Sequence, residues 1–70
     1  MDSDTRFFRL ITNRRFQDAA TLATTEIFRW SIDPRNTIQI TLWRRRLQKA
    51  TDMAAEEDRV LALEEPNHEQ

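Results

Sequence analysis

The chain has 70 residues, a formal net charge of -1, 33% charged side chains, no cysteine, no glycine and one histidine, His68. That length holds one domain, read over residues 1–65, whose core alone stabilises it by only about 3 to 5 kcal/mol; without cysteines or a Cys/His metal centre, helix packing and association must supply the rest. No stretch approaches the ~18 apolar residues of a membrane span, and charge runs through the first 30 residues, unlike a secretory leader, so the expectation is a soluble protein of the cytoplasm.

Sheets with tight turns draw on glycine, so its absence predicts an all-α protein: a helical hairpin, a long C-terminal helix and an acidic tail. Ser3 or Asp4 caps a first helix over roughly residues 4–12, with Phe7, Phe8, Leu10 and Ile11 on its apolar side. Asn13-Arg14-Arg15 breaks it. A second helix runs from about Phe16 to Ser31, where Phe16, Ala20, Ala23, Ile27 and Trp30 keep one stripe by 4, 3, 4, 3 spacing. Asp33-Pro34 ends it, because the residue before proline is pushed out of the helical region.

Asn36 is placed to cap a third helix, with Gln39 three residues on as in a capping box. Ile40, Trp43, Leu47, Ala50 and Ala54 then repeat at 3, 4, 3, 4, and Leu61 falls on the same seam one heptad later. The pattern predicts a helix over about 37–64, stopped by Pro66, with 66–70 as a disordered acidic tail. Thr37 to Leu42 also alternates polar with apolar and is rich in β-branched residues, so an intermolecular β-ribbon stays open there. A ribbon-helix-helix protein would need two helices after that strand, and the remaining residues hold one.

The run from Leu10 to Ala19, continuing to Asp33-Pro34-Arg35-Asn36, resembles one tetratricopeptide repeat over residues 7 to 36. Phe16 matches the aromatic that starts the family's second helix, Ala19 the alanine three residues on, and Asp33, Pro34 and Asn36 the segment leading to the next helix. The small residue that the family places before the turn has no counterpart here. The resemblance implies a protein-binding scaffold. One such hairpin does not bury its apolar face alone, so the third helix and a second chain are expected to cover it.

Charge is unevenly placed. Residues 1–49 carry ten basic side chains against five acids, and residues 50–70 carry Arg59 against seven acids. Glu56-Glu57-Asp58 diverge around a helix axis and read as a solvated face. With His68 near the end of the chain, no base stands ready to activate a nucleophile, so neither an enzyme nor a cofactor is expected. The candidate partner-binding residues are Trp30, Ile40, Trp43, Arg44, Arg45, Arg46 and Leu47. Arginines beside an apolar seam cover it with their stems or meet acids across an interface, and tryptophans anchor interfaces, although both tryptophans also fit a core. The expected function is a small adaptor, subunit or regulator that binds another protein or itself, as a homo-oligomer expected to be a dimer. The alternative is a nucleic-acid-binding regulator in which the triplet, with Arg14, Arg15, Arg29 and Arg35, meets phosphates.

Overall fold

Asp2 begins the first helix. Its side chain accepts a hydrogen bond from the Thr5 backbone N–H at 2.9 Å, and that bond holds its carboxyl below the usual carboxylate range. The cap is thus one residue earlier than the expected Ser3 and two earlier than Asp4, and the Ser3 hydroxyl is released to bond Glu26. The computed structural model describes residues 2–64, in which α1 spans Ser3–Thr12, α2 Phe16–Trp30 and α3 Thr37–Glu64, with no strand among the described residues. The tail expected over 66–70 lies outside them.

The break at Asn13 to Arg15 is a helix-ending motif built without glycine. The Arg15 N–H reaches back to the Leu10 carbonyl at 2.8 Å and the Arg14 N–H to that of Ile11 at 3.0 Å, which places Arg14 at φ 60. A side chain there costs about 1 kcal/mol that glycine would not. Arg14→Gly should therefore stabilise the protein by about 0.5 to 1 kcal/mol, less the few tenths that the exposed Arg14 to Glu57 ion pair contributes at 3.3 Å. Chemical denaturation checks this, and a lower midpoint for the variant counts against it.

α2 carries three threonines, Thr21, Thr24 and Thr25, that would favour other backbone conformations. Each hydroxyl instead bonds the carbonyl four residues back, at 3.1, 3.0 and 3.0 Å, and the helix continues. After Trp30 the chain reverses through a knot of polar bonds. Arg35 donates its backbone N–H and its guanidinium to Asp33, which keeps the Asp33 carboxyl below its usual range, and Asn36 donates to the Trp30 carbonyl at 3.2 Å. Asn36 thus sits where a cap sits, its carbonyl accepting from Ile40 N–H, while its side chain ties back to α2.

Thr37 to Leu42 is helical, and the β-ribbon is not formed. Ile40, Trp43 and Leu47 share a face only at the helical period, and Trp43 is buried when they do. The core consists of Phe7 from α1, Ala19 and Ala23 from α2, and Trp43 and Ala50 from α3. Alanines one turn apart on both α2 (Ala19, Ala23) and α3 (Ala50, Ala54) remove the bulk that would hold the two backbones apart, and this is the most extensive helix pair. The buried stripe of α2 runs Phe16, Ala19, Ala23, Glu26, rotated slightly from the expected one, with Ala20, Ile27 and Trp30 on its half-buried edge.

α3 is longer than its support. Its 28 residues extend about 42 Å and the 15 of α2 about 22 Å. The α1–α2 turn meets α3 at Glu57, and Asp58, Val60 and Leu61 border shallow depressions with Arg14 and Phe16, so the end of α3 lies at the edge of the hairpin. Leu61 keeps the phase of the seam but is 55% exposed, with only the start of α2, at Phe16, bordering the same shallow depression.

Candidate interaction surface

The seven candidate residues do not share one surface. Trp43 is buried in the core, and Trp30 and Leu47 pack against it; Ile40 is half-buried, while Arg44 and Arg45 are exposed. About 100° per residue separates the members of the Arg44-Arg45-Arg46 triplet around the helix, so consecutive arginines face different surroundings.

Arg46 turns toward α1. Its side chain is 15% exposed and pairs with Asp4, and its guanidinium lies 4.5 Å from the Trp43 ring centre, 5.0 Å from Phe8 and 5.6 Å from Phe7. Phe7 and Trp43 meet edge to face at 5.8 Å and 88°. A cation over three aromatic rings, neutralised by one carboxylate, locks α1 onto α3 and leaves Arg46 committed inside the protein.

Glu26 is the residue that sequence reasoning missed. It is 5% exposed, accepts from the Ser3 hydroxyl at 2.8 Å and lies 3.6 Å from Arg29 Nη1. Beside it the Trp30 indole N–H is buried with no hydrogen-bond partner. Glu26, Trp30, Trp43 and Gln39 border a recess of about 430 Å³ that also takes in the start of α1. On the other side of Glu26, an open groove of about 700 Å³ between α1 and α2 is rimmed by Arg6, Arg9, Arg15 and Arg29. Two of these have acids at hand, Asp18 for Arg15 at 2.6 Å and Glu26 for Arg29. Among the described residues no three His, Cys, Asp or Glu side chains are grouped to hold a metal ion.

A second stripe on α3 went unread in the sequence. Ile38, Leu42, Met53, Val60 and Leu63, with Arg45, Lys49 and Glu56 between them, follow near-heptad spacing and fall within a sector of about 80°. That sector is centred about 125° from Trp43, so it faces away from α2. Ile38 is 81% and Leu63 69% exposed, Val60 is exposed, and Leu42 and Met53 are half-covered. Shallow depressions open near both ends. One, of about 360 Å³, is bordered by Phe16, Met53, Val60 and Leu61, and the other by Ile38, Leu42 and Arg45. Phe8, 54% exposed, borders the strip through its contact with Arg46.

No helix among the described residues is long and apolar enough to cross a membrane. No protein-family model, curated protein or solved structure gives a significant match to this chain.

Proposed function

We propose that the chain is a small non-enzymatic interaction module of the cytoplasm, an adaptor, subunit or regulator that binds another protein or a copy of itself through an apolar helix face. The observation that carries this is the outer strip of α3, on which large apolar side chains recur at helical spacing instead of being scattered singly. A strip of this kind along a straight helix fits a partner helix laid beside it. The likeness of residues 7 to 36 to one tetratricopeptide hairpin supports the same reading, since such hairpins serve as protein-binding scaffolds.

The second reading, a nucleic-acid-binding regulator, is favoured by the four arginines around the α1–α2 groove. The triplet lends it less, because Arg46 is held by Asp4 and the aromatic rings and only Arg44 and Arg45 stand exposed.

Cross-linking mass spectrometry on cells expressing the tagged full chain separates the two readings. Lys49, the chain's single lysine, lies on the strip and reports its occupant. A stoichiometric polypeptide should cross-link there, vanish with Leu42→Glu plus Val60→Glu, and persist with Arg6→Ala plus Arg9→Ala. Tight, salt-sensitive nucleic-acid binding that only the arginine variant abolishes, with no polypeptide on Lys49, overturns the module reading.

A further inference from the structure

The outer strip of α3 has an order along its length that its own fold does not use. From the N-terminal end it reads apolar (Ile38, Leu42), basic (Arg45, Lys49), apolar at its middle (Met53), acidic (Glu56) and apolar again (Val60, Leu63). Asp52 flanks the acidic half on one side and Glu57, paired with Arg14, on the other. Among the described residues, Arg45 and Lys49 form no ion pair, and Glu56 pairs only with exposed Arg59 one turn away at 2.7 Å. Such a pair contributes little and is readily exchanged.

We propose that a second copy of this chain occupies the strip, its α3 running antiparallel to the first, so that the basic half of each helix lies against the acidic half of the other. This rests on the interaction-module reading above and names the partner that reading leaves open.

Reversal about a two-fold axis near residues 50 and 51 puts Ile38 opposite Leu63 of the second copy and Leu42 opposite its Val60. The same register puts Arg45 opposite Glu56 and Lys49 opposite Asp52, with Met53 close to the axis. Apolar thus meets apolar at both ends and base meets acid between them, while Met53 lies beside Gln48 and Lys49 of the second copy. A parallel pair fails on the same residues, since Arg45, Lys49 and Glu56 would each face their own copies. The depression beside Met53 and Val60 comes to lie against the one beside Leu42 and Ile38, and half-exposed Phe8 extends the contact onto α1. A strip about 40 Å long and about 10 Å wide is at the small end of specific interfaces, so dissociation in the micromolar range is expected.

Because the sequence has no cysteine, single cysteines can be introduced cleanly. Sedimentation equilibrium of the wild-type chain from about 1 to 500 μM should show a monomer of 8.4 kDa passing to a species of twice that mass. A spin label at Ile38→Cys should then report a distance of about 38 Å between copies, because 25 residues of helix separate position 38 from its antiparallel counterpart. Two charge variants complete the test. Arg45→Glu with Lys49→Glu should be monomeric alone, as should Asp52→Lys with Glu56→Lys, and mixing the two should restore dimers.

A monomer throughout the concentration range overturns the proposal, as does a label distance under about 20 Å, which would mean a parallel pair. If the wild type is monomeric while a different polypeptide cross-links to Lys49, the second copy is the wrong occupant and the module reading stands. If Lys49 cross-links to nothing, both fall together.

Discussion

Trp43→Ala is expected to leave the isolated chain largely unfolded at room temperature. Trp43 is 2% exposed and touches the core from all three helices, with Phe7 edge to face on one side and Ala19, Ala23 and Ala50 in the same cluster. Truncating a buried tryptophan typically costs about 3 to 5 kcal/mol, and a core of this size supplies about that much in total. The loss should therefore appear as missing helical circular dichroism before denaturant is added, at a single protein concentration so that association does not offset it. Trp43→Phe keeps much of the ring and should fold with a loss of about 1 to 3 kcal/mol. Trp30 provides the contrast: its indole N–H is buried without a partner, so Trp30→Phe removes an unsatisfied donor and should change stability little. A Trp43→Ala variant that melts within a few degrees of the wild type would show that α2 and α3 pack adequately through their alanines alone.

The parts of this fold that could be read in advance are those fixed by local spacing. The start of α2 at Phe16, the stop near Asp33-Pro34 and the seam of Ile40, Trp43, Leu47, Ala50 and Ala54 each follow from residues a few positions apart. The cap of α1 did not, because Asp2, Ser3 and Asp4 are adjacent and all suitable, and only the Thr5 N–H decides among them. Glu26 escaped for a different reason. It lies three residues after Ala23 on the buried stripe, but a stripe sought among apolar residues passes over a carboxylate to Ile27, and the Ser3 hydroxyl that satisfies it comes from another helix. Arg46 likewise depends on Asp4 and Phe8 of α1, so α3's own sequence presents it as one member of a triplet. The outer strip was obscured by its own charges and, over Thr37 to Leu42, by an alternation that also suits a strand.

Phe7→Ala should separate α1 from the rest of the protein. Phe7 is the only buried residue of α1, and a helix of 10 residues is too short to persist in water without tertiary support. Its other ties are the half-buried Leu10 and Ile11, the Ser3 to Glu26 bond and the Asp4 to Arg46 pair, of which the last is largely exposed on the Asp4 side. Losing a buried phenylalanine costs about 3 to 5 kcal/mol, and most of that should fall on the opening of α1, since α2 and α3 keep their alanine contact along Ala19, Ala23, Ala50 and Ala54. Hydrogen exchange read residue by residue should show α1 amides losing protection by about two to three orders of magnitude, with smaller losses at the α2–α3 contact. Trp43 would lose the ring that covers it, so its fluorescence should shift to the red as α1 opens. A uniform fall in protection across all three helices would show instead that α1 is part of one cooperative unit, and that the cation and rings around Arg46 bind it more tightly than Phe7's burial implies.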